Sequence, residues 1–231
     1  MKIGLLECDH VSENLRHIAG DYRDMFGALF ARHAPQIELT CFDVRAGVLP
    51  DSVDACEGYL TTGSRFSAYD DEPWINHLKT FVRELHASET PFVGICFGHQ
   101  VLAEALGGKV DRVDWGIGAH SMDIIEKRRW MDPEMESCSI HYSHRDQVQL
   151  LPDDAVVMGE AEHCPVAMLR VGERMVGIQG HPEFSMAYLE ALVRSRSEVI
   201  GADKVATADF KGKTDEASVA RWIAKFLAQC S

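Results

Sequence analysis

Cys96 stands between two glycines, in Gly94-Ile95-Cys96-Phe97-Gly98. Before it runs a short apolar stretch, Pro91 to Ile95, and after it Gln100 to Leu106 carries apolar residues at helical spacing. This is the pattern of a strand–turn–helix elbow that holds a nucleophile in a sharp turn. Glycine is needed two residues to either side because a Cβ there would meet the neighbouring strand or helix. Such a turn puts the sulfur at a helix N-terminus, where the macrodipole and free N–H groups favour the thiolate. It also offers the Phe97 N–H as one donor to an oxyanion. A buried core cysteine between two packing glycines would have the same local sequence.

A second chemistry-bearing stretch is Gly177-Ile178-Gln179-Gly180-His181-Pro182-Glu183, which follows the last expected strand. In a mostly parallel α/β sheet the strand C-termini share one edge, where active sites collect. Cys96 and His181 can therefore meet although they are far apart in the chain. A histidine beside a thiol takes its proton, and a carboxylate on the far imidazole nitrogen fixes the tautomer. Cys96, His181 and Glu183 thus form a nucleophile–base–orienter set. The plainer alternative is a strand-end His-Pro turn with Glu183 facing solvent.

The elements that must position these residues read as follows. Lys2 to Cys8 forms a first buried strand, and Ser12 or Asp21 caps a helix over Tyr22 to His33. Ile37 to Val44 and Asp54 to Leu60 supply two more strands. Pro73 opens a helix whose buried face is Trp74, Leu78, Phe81, Val82 and Leu85. Strands alternating with helices predict βαβ units and a parallel sheet, an α/β fold. After Gly107-Gly108 the character changes to shorter strands at Ala119 to Ile125, Ser137 to Tyr142 and Ala155 to Ala161. Val166 to Arg170 and Met175 to Gln179 flank a hairpin turn. Helices return at Ser185 to Val199 and Asp215 to Gln229. With no repeat or linker, residues 1–231 are expected to form one domain.

The net charge of −13 argues against a nucleic-acid surface, which would need a basic patch. No apolar run approaches the length of a membrane span, and the first residues meet Glu7 and Asp9 too soon for a secretion signal. Seven cysteines without regular spacing do not make a disulfide framework. A cytoplasmic location is the economical expectation. Cys138, His141 and His144 run Cys-x-x-His-x-x-His, but no fourth ligand is well placed and the spacing fits no common zinc pattern. Neither a metal nor a cofactor is expected.

Gly-x-Cys-x-Gly-His-Gln followed much later by His-Pro-Glu resembles the class I (triad) glutamine amidotransferases over essentially the whole chain. The resemblance implies a flavodoxin-like, mostly parallel sheet flanked by helices, with a small antiparallel sheet in the second half. It implies hydrolysis of a γ-glutamyl amide through a thioester on Cys96, with His181 as base and then acid and Glu183 orienting it. A loop after the third strand, here Thr62-Gly63-Ser64-Arg65-Phe66-Ser67, would complete the oxyanion hole through Gly63 or Ser64 together with Phe97. Losing one such donor costs about 3 kcal/mol of transition-state stabilisation. Ser143, His144, Arg145 and Asp146 match the family's Ser-His-x-Asp stretch that holds the glutamine backbone, and Gln100 would contact the same substrate.

The sequence also departs from the family pattern. Glycine stands at position 180 where an aromatic is usual, and the Gly-Gly-Pro loop has become Gly63-Ser64-Arg65. These variants resemble the free-standing branch similar to the glutaminase part of GMP synthetase, which includes plant γ-glutamyl peptidases. Glycine at 180 is expected to widen the pocket beside His181 for a bulkier substrate. No Walker-type or Rossmann glycine pattern is present, so released ammonia would go to a separate synthetase, or hydrolysis is itself the function. Three readings follow. One is an amidotransferase subunit serving a partner, another an autonomous γ-glutamyl peptidase, and the third a Cys-elbow fold used for redox sensing or regulation. His181 and Glu183 weigh against the third, because sensing alone requires no general base. The altered loop and Gly180 tilt the balance towards the second, while the shared residues support the broader amidotransferase class.

Overall fold

Strands buried on both faces read as unbroken apolar runs, whereas an edge strand keeps polar residues. A computed structural model, which describes residues 1–228, follows that rule. Strand β1 (Lys2–Glu7) is buried from Ile3 onward, and helices α1 (Arg16–Ala19) and α2 (Tyr22–His33) lead to the half-exposed edge strand β2 (Glu38–Asp43). A short 3-10 turn at Val53–Ala55 precedes β3 (Gly58–Thr61), then come α3 (Pro73–Ala87), β4 (Phe92–Ile95) and α4 (Phe97–Ala105). Strands β5 (Lys109–Ile124), β6 (Ser137–Leu150), β7 (Ala155–Ala161), β8 (Cys164–Val171) and β9 (Met175–Ile178) follow. The chain continues through α5 (Met186–Ser195), α6 (Ser197–Ile200), α7 (Ala202–Thr207) and α8 (Glu216–Ala228). The expected last helix residue, Gln229, lies outside the described residues.

The strand order is β2-β1-β3-β4-β9-β8-β7-β5-β6. The first five run parallel in the doubly wound, flavodoxin-like order. The antiparallel strands of the second half are hydrogen-bonded onto β9 through β8, so both parts make one continuous nine-stranded sheet. Strand alternation divides the core. Ile3, Leu5, Leu60 and Val93 face α2 and α8, while Leu6, Tyr59 and Phe92 face α3 and α4.

Local chemistry sets the helix ends. Asp21 caps α2 by accepting from the Tyr22 N–H at 2.9 Å, and Asp24 returns a bond to the Asp21 N–H at 2.8 Å, a reciprocal capping box. Pro73 opens α3, whose buried face adds Ile75 to the expected five residues.

Four elements differ from expectation. β5 and β6 span 16 and 14 residues, so Ser143 to Asp146 lie within a strand. α4 begins directly at Phe97 rather than at Gln100. The helix expected over Ser185 to Val199 breaks at Arg196, which ends α5 and starts α6. Among the described residues no helix is long and apolar enough to cross a membrane.

Candidate active site

Cys96 adopts φ +50° and ψ −98°, in the half of conformational space that side chains avoid. Such strain costs on the order of 1–3 kcal/mol and persists only where the surroundings impose it. Here they do. The Cys96 N–H donates to the carbonyl of Ile178 at 2.8 Å, and the Ile95 N–H donates to Thr61 Oγ1 at 3.1 Å. A Cβ at Gly94 would run into the backbone of Gly98, and one at Gly98 into the Thr61 side chain. Both glycines are thus required by close backbone approach, as the elbow pattern predicts.

β4 and β9 lie side by side with Ile95 opposite Ile178. The residues just beyond β9 therefore stand next to Cys96. Gln179 Nε2 donates to Cys96 Sγ at 3.5 Å, and the His181 N–H donates to the His141 carbonyl on β6 at 2.7 Å. The His181 ring lies within electrostatic reach of the Cys96 sulfur. Its Nδ1 donates to Glu183 Oε1 at 2.8 Å. Phe184 stacks on the imidazole at 3.9 Å, with the planes 6° apart. The Glu183 side chain is fully buried, which removes the solvent-facing alternative. Burial by itself pulls the His181 pKa down, but the Glu183 carboxylate and the Cys96 sulfur outweigh it and push it up to about 10. The imidazole thus holds its proton through neutral pH.

Gly63 packs against this ring, since a Cβ there would lie 2.8 Å from His181 Cε1. The N–H groups of Gly63, Ser64 and Phe97 have no acceptor among the described residues. Ser64 lines the cleft in front of Cys96, whereas the Phe97 side chain is buried against Trp74 at 5.6 Å.

That cleft encloses about 460 Å³. Of the expected substrate residues, Gln100, Ser143, His144, Arg145 and Asp146 all line it. Gln100 Nε2 donates to the Asp146 carbonyl at 2.8 Å and to Gln179 Oε1 at 3.2 Å, which links this wall to the cysteine. The Asp146 carboxylate accepts from Ser67 Oγ at 2.5 Å, Tyr69 Oη at 3.3 Å and Arg112 Nε at 3.4 Å. Ser143 Oγ is buried without a partner among the described residues. His144 donates from Nδ1 to the Asp146 carbonyl at 3.2 Å, and burial lowers its pKa to about 3, so it is neutral.

Sequence reasoning missed Gln179, Phe184, Ser67, Tyr69 and Arg112. Gln179 and Phe184 flank the His-Pro-Glu segment, so adjacency was the available signal; the other three are joined to Asp146 only by folding.

The Cys-x-x-His-x-x-His spacing does not converge. Along β6, residues three apart fall on opposite faces. The His141 and His144 Nδ1 atoms each bond a backbone carbonyl, of Phe184 and Asp146.

Gly180 corrects an expectation. An added Cβ would come within 2.6 Å of Ile140 Cγ1 and 3.1 Å of the His141 carbonyl, so the bare Cα faces β6 rather than the cleft. Ile140 is fully buried, and glycine at 180 makes room for it. Gly180→Phe is therefore expected to destabilise the fold by about 3 kcal/mol or more, since overpacking a filled core forces the backbone apart. Thermal unfolding checks this; a melting midpoint equal to wild type would contradict it.

A buried imidazole that bridges a strained thiol and a carboxylate, beneath free N–H groups, suits acyl transfer through sulfur. Residues 67–193 match the family model for glutamine amidotransferase class I, and the chain belongs to that family. It is 31% identical over 200 residues to gamma-glutamyl peptidase 2 of Arabidopsis thaliana, covering 83% of this chain and 79% of that protein. With gamma-glutamyl peptidase 3 of the same plant it shares 33% identity over 199 residues, covering 82% and 78%. In fold it resembles a glutamine amidotransferase from Thermotoga maritima, with a TM-score of 0.75 at 18% identity, covering 99% of this chain and 96% of that one.

Proposed function

We propose that the chain hydrolyses γ-glutamyl amides, those of glutamine or of γ-glutamyl peptides, through a thioester on Cys96. The observation that carries this reading is the buried chain of contacts from Cys96 through His181 to Glu183. Cys96 Sγ attacks the γ-carbonyl carbon as its proton rests on His181. The carbonyl oxygen becomes an oxyanion held by the Phe97 N–H and that of Ser64 or Gly63. Collapse breaks the C–N bond, and the departing amine takes the proton from His181. Water then gives a proton to His181 and attacks the thioester, and the C–S bond breaks to release glutamate and return the thiolate beside the protonated His181, as at the start. Gln100 and the Ser143–Asp146 strand hold the glutamyl end.

If glutamine is the donor, the ammonia goes to a separate synthetase subunit. The size of the cleft favours the second reading, an autonomous peptidase, because glutamine alone fills little of a space suited to a larger molecule. The test is glutamate release by the purified protein from glutamine, glutathione and a γ-glutamyl dipeptide. Turnover of the peptides without any partner is the expected result. No turnover of any donor, together with no labelling of Cys96 by a glutamine-like electrophile, would defeat the hydrolase reading.

A further inference from the structure

The cleft runs beyond Cys96 towards the junction of α5 and α6, where Leu192, Ser195, Arg196 and Val199 face Val11 and Ser12. Its lining holds four arginines against two aspartates, a cationic surplus within a protein of net charge −13. Two of the four are ion-paired, and a third lies over a ring beside the strand that holds the glutamyl end. Arg65 Nε bonds Asp9 at 2.7 Å, Arg112 reaches Asp146 at 3.4 Å, and Arg145 lies over the Trp115 ring at 6.0 Å. Both aspartates are thereby used, and Asp9 also accepts from Arg45 at 2.6 Å. Arg196 is different. It is half-buried like Arg145, lines the cleft, and has no ion pair, side-chain hydrogen bond or aromatic ring beneath it among the described residues. Tyr22 and Tyr188, both buried, lie within electrostatic reach of it, but burial pushes both phenol pKa values up, so neither carries the negative charge that would balance the guanidinium at neutral pH.

A half-buried cation without a counterion is costly unless a ligand brings one. Glutamine is a zwitterion whose single carboxylate and ammonium both belong to the glutamyl end. A γ-glutamyl peptide adds one more carboxylate on its leaving group, which balances an unmatched arginine. We propose that Arg196 binds the C-terminal carboxylate of the leaving group, making acidic γ-glutamyl peptides, rather than glutamine, the substrates this cleft is built for. The inference rests on the hydrolase reading above and adds to it the chemistry that selects the donor.

The experiment compares kcat/KM for a γ-glutamyl dipeptide and for the same dipeptide as its C-terminal amide, in wild type, Arg196→Gln and Arg196→Lys. Wild type is expected to prefer the free acid by roughly tenfold or more, the strength of one charge-assisted hydrogen bond. Arg196→Gln should bring the ratio to near parity, and Arg196→Lys should keep part of it. A purely structural role for Arg196 would depress both substrates together and leave the ratio intact. Equal turnover of acid and amide by wild type, a preference that survives in Arg196→Gln, or hydrolysis of glutamine alone would overturn the assignment while the hydrolase stands. Loss of all glutamate release from every donor would instead overturn the hydrolase reading itself.

Discussion

Cys96→Ala is expected to release no measurable glutamate from any γ-glutamyl donor while keeping the wild-type fold. Alanine retains a Cβ at the same φ of +50°, so the strain of the elbow is unchanged. Only the sulfur, buried beside Gln179 and His181, is removed, and a cavity of one atom costs about 1 kcal/mol. Removal of a nucleophile lowers turnover by on the order of 10⁴–10⁶, because the oxyanion donors and binding alone recover only a remnant. Circular dichroism and glutamate release, measured on one preparation, decide the matter. A well-folded variant with more than a few per cent of wild-type turnover would remove Cys96 from the chemistry.

Glu183→Gln should lower turnover by roughly 10²–10⁴, because an amide cannot supply the charge that supports the imidazolium. The same substitution has a signature in stability. His181 is raised from its ordinary value of 6.5 to about 10, with the Glu183 carboxylate and the Cys96 sulfur overcoming burial. Between those values the folded protein binds a proton that the unfolded chain has lost. The stabilisation is therefore fully present below about pH 6.5 and drains away as pH rises towards about 10. Thermal melts from pH 6 to pH 10 are expected to fall more steeply for wild type than for Glu183→Gln. Parallel curves would show that the carboxylate does not hold the proton on His181.

Much of the site could be read from the sequence because its parts are local. Glycines two residues either side of Cys96 announce a close backbone approach, and the apolar runs before Cys96 and His181 mark two strands that end at one edge. Other features depend on tertiary contact. Whether the bare Cα of Gly180 faces a cleft or a neighbouring strand is decided by Ile140, forty positions earlier in the chain. The length of β5 was hidden because Val110 and Val113 stand three apart, off the two-residue period of a strand, and the pairing then shifts register between Arg112 and Gly116. No glycine or proline in Arg194-Ser195-Arg196-Ser197 signals the break between α5 and α6. That break turns Arg196 into the cleft wall, and so the most informative cation in the cleft was not visible in the sequence.

The position of β9 has a consequence for synthesis of the chain. This strand lies between β4 and β8, and it brings Gln179 to a cysteine 83 residues earlier in the sequence. Contacts of such separation form late, because the loop they close must be ordered before they contribute. A chain still emerging from the ribosome lacks both the Ile178 carbonyl that holds the Cys96 N–H and the His181 imidazole beside the thiol until β9 is made and inserted. On the reading proposed above, the nascent protein therefore carries an unarmed cysteine, and amide cleavage begins only once β9 has joined β4 in the sheet.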